Sequence, residues 1–412
     1  MSQNTIHPPS NPSATDTKQQ LLRGTRLFTG TAWETVPSIL IHRGVIRAAG
    51  AAAEAAAAAS PTAAIHELGD VTLLPGLVDC HQHLVFNGQG SLEDQVAEVS
   101  DEKLLERARS NAQRALRGGV TTIRDLGDRN FTTLSLRNDP ELPTIVCSGP
   151  PITPVQGHCW YLGGECEDRD AMIAAVRARI AKGCDVVKIM ATGGAMTPTT
   201  PMWKSQFGRQ DLELVVREAH AAGVRVAAHC HGLAGIEDSI AAGVDTIEHC
   251  TFLDETMQVD PHPSLLRQLA ESDTVISATL GVLPNADLPP PLIQMSPAVI
   301  RALKAVRELG GRIVVGSDAG IAAFKPHDVM AYAIHDLLAI GMTSSEALHA
   351  MTRGGALALG LATKGLIAAG AHADVIAVDG DPTVDPEAVA RVVDVWRGGR
   401  NVTMQATAEP RT

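Results

Sequence analysis

The chain has 412 residues, which admits two or three domains, or one large barrel with a satellite, and excludes a miniature scaffold held together by disulfides. Lys and Arg number 34 against 46 Asp and Glu, a formal charge of −12; no broad cationic surface exists to neutralise phosphates, so nucleic acid is not an expected partner. Apolar residues make up 45% of the chain and aromatic ones only 3%, so a globular core must be packed mainly by Ala, Val, Leu and Ile.

In chain order, residues 1–20 lack a basic segment followed by an apolar one and read as a disordered tail rather than a signal peptide. Residues 21–70 begin with short strand-like runs, LLRGTRLFTG and SILIHRGVIRAAG, around a turn at Gly30 to Glu34, and predict the first part of a small antiparallel β domain. The Ala-rich run from Ala49 to Ala64 contains Glu54, and no stretch reaches the roughly 18 apolar residues that span a bilayer, so no membrane partner is expected. From Val71 short apolar runs alternate with helical stretches: VTLLPGLVDC, VTTIRDL, PTIVCSG, CDVVKIM, VRVAAHC, VDTIEHC, DTVISAT and GRIVVGSD. One intervening segment, DLELVVREAHAAG, has apolar positions at helical spacing and should stop at a left-handed Gly223.

Eight strands alternating with helices imply parallel pairing through crossovers, and residues 71–362 are long enough to close them into an α/β (β/α)8 TIM barrel. A doubly wound open sheet is the topological rival. Residues 363–412 return to β-branched runs in ADVIAVDGD and VVDVWRGGRNV, so both chain ends are expected to share one small β-sandwich-like domain beside the barrel. The seven cysteines form no CxxC pair and are odd in number, which argues against a disulfide framework or zinc ribbon and fits a reducing cytoplasm.

Residue types that ligate metals cluster where the strands end, the face on which barrels carry their active sites. His81 and His83 close the first strand in DCHQH and, by period-two geometry, point the same way. Lys188 lies in VVKIM on the fourth strand, His229 ends the fifth, His249 ends the sixth and Asp318 ends the eighth in GSDAG. The same alternation turns Cys80 and Cys230 away from the lumen, where cysteine is a small apolar filler, so a cysteine nucleophile is not expected.

The ordered set HxH, Lys, His, His, Asp, flanked by a split small sheet, resembles the amidohydrolase superfamily from about Leu21 to Val402. LLPGLVDCHQHL, AGVDTIEHCT and GLIAAGAHADVIAVDGDP are similar to the branch of imidazolonepropionase-like enzymes and zinc-dependent prolidase-type dipeptidases, which also holds an ochratoxin-hydrolysing amidase. The resemblance implies that His81, His83 and Asp318 hold one divalent ion, that His229 and His249 hold a second, and that Lys188, carboxylated by carbon dioxide, bridges them. Zinc suits such ligands, with manganese, cobalt or iron as alternatives. Also implied are a metal-bridging hydroxide as nucleophile and Asp318 as the group that carries its proton to the leaving nitrogen.

His158 and Tyr161, in the loop QGHCWYLGG, and His231, two residues after His229, are candidates to bind substrate; His327 is a weaker one. Lys204 and Arg209 are candidates to attract a substrate carboxylate, against a plain role as solvated surface charge. The expected reaction is hydrolysis of an amide bond in a small molecule such as a dipeptide or N-acyl amino acid, by a homo-oligomeric enzyme. A cyclic amide of the imidazolone type, a urea or a carbamate is the alternative substrate, and a non-catalytic binding barrel the alternative class.

Overall fold

The computed structural model describes residues 18–60 and 62–403. The expected tail over 1–20 lies outside them up to residue 17, and so do 404–412 of the expected C-terminal part. Within the described end of that tail, Gln20 already opens a strand, Gln20–Arg23.

Eight parallel strands form the wall of the large unit: β1 (Leu77–Gln82), β2 (Val120–Asp125), β3 (Thr144–Cys147), β4 (Val186–Met190), β5 (Arg225–Gly232), β6 (Thr246–Leu253), β7 (Val275–Thr279) and β8 (Ile313–Gly316). They pair in chain order, β1 to β3 in one sheet and β4 to β8 in another. Backbone hydrogen bonds link the sheets at both margins. Ile152 N donates to Lys188 O at 2.8 Å on one side, and Asp318 N donates to His81 O at 2.7 Å on the other. With helices such as Asp101–Arg117, Arg169–Lys182, Arg209–Ala221 and Leu233–Ala242 between strands, the arrangement is α/β and TIM-barrel-like. β1, β2 and β4 are buried along their whole length, as strands covered on both faces must be. Helix Arg209–Ala221 ends where expected, with Gly223 at φ +73°.

The run 71–82 is not one strand. Val71–Pro75 pairs with Val375–Asp379 and Arg26–Phe28 in a six-stranded sheet, and only after Gly76 does β1 enter the wall. A side chain at Gly76 would collide with Thr121, so the crossing point needs glycine for close backbone approach. The N-terminal strands are likewise not one antiparallel sheet. Gln20–Arg23 runs antiparallel to Ser38–His42 but parallel to Ala64–Glu67, in a separate four-stranded sheet. Leu22, Ile39, Leu73, Val375 and Trp396, drawn from both sheets, share one buried apolar cluster.

The terminal sheets are tied to the wall by a buried ionic knot. Lys364 Nζ lies 2.6 Å from Asp374 Oδ2, and Asp374 Oδ1 accepts from Gly398 N and Arg397 Nη1. Arg397 Nε in turn donates to the carbonyl of Leu142, just ahead of β3. Among the described residues, no helix is long and apolar enough to cross a membrane.

Candidate active site

The strand ends converge on two groups of buried donors. In the first, His81, His83 and Asp318 bring one ligand atom each within 4.8 Å of one another. His81 Nε2 and His83 Nε2 are 3.2 Å apart, and each lies 3.4 Å from Asp318 Oδ1. Their second ring nitrogens are engaged elsewhere: His81 Nδ1 donates to Glu248 Oε2 at 3.0 Å and His83 Nδ1 to the Gly127 carbonyl at 3.1 Å. Such outer bonds fix tautomer and ring orientation, leaving each Nε2 lone pair free to ligate.

The second group is His229, His231 and His249. His229 Nε2 donates to the Gly193 carbonyl at 3.0 Å, which leaves Nδ1 as its lone pair. His231 Nδ1 meets Thr251 Oγ1 at 2.8 Å and His249 Nδ1 meets Thr279 Oγ1 at 3.0 Å. His231, expected to bind substrate, lies close to both other histidines, its ring centroid 4.5 Å from that of His229 and 4.5 Å from that of His249. His158 joins the cluster with its ring centroid 4.6 Å from that of His229 and its Nδ1 on Thr197 Oγ1. A side chain at Gly194 would collide with the His158 ring, so this glycine allows close approach to the site. Tyr161 reaches His158 indirectly: its hydroxyl meets Cys159 Sγ at 3.6 Å and interacts with Thr197.

Electrostatics prepare these groups to ligate. Burial pushes the imidazoles of His81, His158, His229 and His249 well below their usual pKa, His83 down to about 4 and His231 down to about 3, so they stay neutral, as metal binding requires. Lys188 is fully buried and its Nζ has no hydrogen-bond partner among the described residues. Burial lowers its pKa to about 8, because a low-dielectric site disfavours the ammonium. Burial also raises Asp318 to about 6, against the opposing charges of Lys325 and Lys188. His249 and Asp318 both sit at positive φ, +69° and +56°, a conformation that costs backbone energy and concentrates at working sites.

The other candidate residues lie outside the two donor groups. Both nitrogens of His327 are engaged, by Gln82 Oε1 and the Phe86 carbonyl. Arg209 is exposed and pairs with Asp238 across two outer helices, and Lys204 is exposed. Cys80 and Cys230 face outward, Cys230 Sγ meeting Ser239 Oγ of the Leu233–Ala242 helix at 3.1 Å, and burial raises both thiol pKa values. Three charged residues that the sequence reading passed over are brought in: Arg124, Glu248 and Lys325, all buried. Lys325 Nζ donates to the carbonyls of Thr279, Gly281 and Ser317 at 3.2, 3.1 and 2.7 Å, tying the ends of β7 and β8 together beside Asp318. A charged residue inside an apolar strand, as in TTIRDL and DTIEHC, was the available signal for the first two.

A model of the Amidohydrolase family matches residues 72–402, and the chain belongs to that family. It is a hydrolase of amide carbon–nitrogen bonds, with imidazolonepropionase-like and prolidase-like relatives. Ochratoxinase of Aspergillus niger is 28% identical over 379 residues, covering 80% of this chain and 75% of the relative. Imidazolonepropionase of Deinococcus deserti is 26% identical over 410 residues, covering 89% and 92%. Among solved structures, a Xaa-Pro dipeptidase with methionine bound in its active site superposes with a TM-score of 0.78 at 25% identity, covering 93% of this chain and 99% of the other.

Proposed function

We propose that the protein is a binuclear metal-dependent amidohydrolase whose substrate is a dipeptide or N-acyl amino acid. The observation that carries the reading is the convergence, at one end of the eight strands, of two buried donor groups and a buried lysine without a partner. His81, His83 and Asp318 would hold one divalent ion and His229 and His249 the other, with carboxylated Lys188 between them. An ammonium has no lone pair, whereas addition of carbon dioxide to the neutral amine, with loss of one proton, gives an anionic oxygen ligand. Zinc suits this donor set, and manganese, cobalt or iron fits it too. When bound, the ions polarise the scissile carbonyl and acidify water.

The chain's own residues do the rest. Asp318, buried with its Oδ1 3.4 Å from both His81 Nε2 and His83 Nε2, is placed to take a proton and return it to the leaving nitrogen. His158 presents Nε2 beside the donors while Thr197 holds its Nδ1, the geometry of a hydrogen-bonding group for the substrate. The same reading includes a closed barrel over 71–362, a sandwich of the two terminal sheets, a cytoplasmic location and a homo-oligomer with no nucleic-acid or membrane partner. The dipeptide class is supported by the Xaa-Pro dipeptidase likeness.

The test is a substrate panel run on metal-loaded and chelator-treated protein, with dipeptides, N-acyl amino acids, imidazolone-type cyclic amides, ureas and carbamates as its arms. Metal-dependent turnover of the first two classes is the expected result. Turnover confined to the other arms overturns the substrate class, and turnover unaffected by chelation overturns the metal reading.

A further inference from the structure

Below the donor groups the lumen holds a buried ion pair. Glu248 on β6 and Arg124 on β2 are 0% and 1% exposed, and Arg124 Nη2 donates to Glu248 Oε1 at 2.7 Å. Thr246 Oγ1 donates to the same carboxylate oxygen at 2.6 Å and accepts from Arg124 Nη1 at 3.0 Å. Glu248 Oε2 is thereby left for His81 Nδ1. Arg124 Nε donates to the Cys80 carbonyl at 2.7 Å, so the pair grips β1 at the residue before His81 and at the His81 ring itself.

A buried ion pair is poor evidence of a stability device, because well-packed apolar residues of similar volume often serve as well. What apolar residues cannot do is accept the His81 N–H. The other histidines of the two donor groups have neutral partners at the corresponding nitrogen: His83 and His229 donate to carbonyls, and His231 and His249 meet threonine hydroxyls. A carboxylate acceptor fixes the Nδ1–H tautomer and raises the basicity of Nε2, the atom that stands 3.4 Å from Asp318 Oδ1.

We propose that Glu248, clamped by Arg124, is a positioning residue that sets the ring orientation and donor strength of His81, and through it the affinity of the first donor group for a divalent cation. The inference rests on the metal-dependent reading above. Glu248 touches neither substrate nor reacting atoms and acts through the histidine.

The test measures cobalt affinity by chelator competition, and the visible absorption of the cobalt-loaded protein, for the full chain and two variants. Glu248→Gln keeps shape but leaves one acceptor oxygen for the three donors Arg124, Thr246 and His81. The double variant Arg124→Met, Glu248→Leu replaces the pair by apolar side chains and leaves no stranded charge. Both folded variants should bind cobalt about 10- to 100-fold more weakly, with altered absorption, and Glu248→Gln should regain kcat in excess metal with KM unchanged. If Glu248→Gln fails to fold, the double variant decides alone. A folded double variant with unchanged cobalt affinity and spectrum overturns the proposal and leaves the metal reading standing. An unmodified chain that binds no cobalt overturns the metal reading and the proposal together.

Discussion

Lys188 and Lys364 are both buried, at 0% and 4% exposure, and burial lowers the pKa of each ammonium to about 8. Their surroundings differ. Lys364 at the junction of the terminal sheets has Asp374 at 2.6 Å, backed by Arg397. Burial alone would raise the Asp374 carboxyl, but Lys364 and Arg397 overcome it and hold that carboxyl well below the ordinary range. Lys188, in the barrel-like unit, has no hydrogen-bond partner for its Nζ. Leaving a buried polar group unpartnered costs free energy, so a protein that satisfies one buried lysine and leaves another open is using them differently. The first holds the terminal sheets to the wall, and the second is the amine that the proposed function would carboxylate.

The comparison can be broken by removing groups from each region and reading turnover and stability separately. The largest effect is expected at the catalytic end. Asp318→Asn keeps volume but removes the charge and the proton acceptor, so turnover at matched metal occupancy should fall roughly 10²- to 10⁴-fold. Its thermal midpoint should stay close to that of the unmodified protein, and full turnover under that control would remove Asp318 as proton carrier. Lys188→Ala should lose bound metal and at least about 100-fold in turnover, the equivalent of about 2.7 kcal/mol of transition-state stabilisation. Short carboxylic acids in the buffer should restore part of it. Unchanged metal content and turnover would reduce Lys188 to a strand residue.

At the junction the pattern should invert. Lys364→Met leaves the buried Asp374 carboxylate with Arg397 as its one cation and Oδ2 without its Lys364 partner, and should cost about 3 kcal/mol of folding stability in denaturant unfolding, with turnover per folded molecule unchanged. A loss of turnover without a loss of stability would contradict the division of labour. The smallest effect is in pH. Because the native pKa of Asp374 is depressed, its contribution is fully present above the unfolded carboxylate value of about 4 and disappears as pH falls through the native value. The stability difference between the unmodified protein and Asp374→Asn should therefore be flat near neutrality and shrink below about pH 4. A difference that grows on acidification has the wrong sign for this pair.

Much of the site was legible in the sequence because histidine, lysine and aspartate are conspicuous at the ends of apolar strands. Period-two alternation correctly placed His81 with His83 and turned Cys80 and Cys230 outward. The same rule hid Glu248. Adjacent residues on a strand face opposite ways, so Glu248 and His249 should not both reach the lumen. The left-handed φ of His249 breaks the alternation within β6, and both side chains contact groups of the site. No apolar pattern encodes that turn. Lys325 was missed for another reason: it lies in a loop, and only the fold brings the Thr279, Gly281 and Ser317 carbonyls around its ammonium. The division of 71–82 at Gly76 was hidden because strands of both units are equally apolar and buried.

The central claim is that the two donor groups and Lys188 form one binuclear centre. Elemental analysis of the full chain, purified without chelator, tests it most directly. The account predicts about two divalent ions per chain, one for each donor group, both lost with activity on chelation and regained together on adding zinc or manganese. A protein that carries no metal, and gains neither ion nor activity when supplied with them, would contradict it.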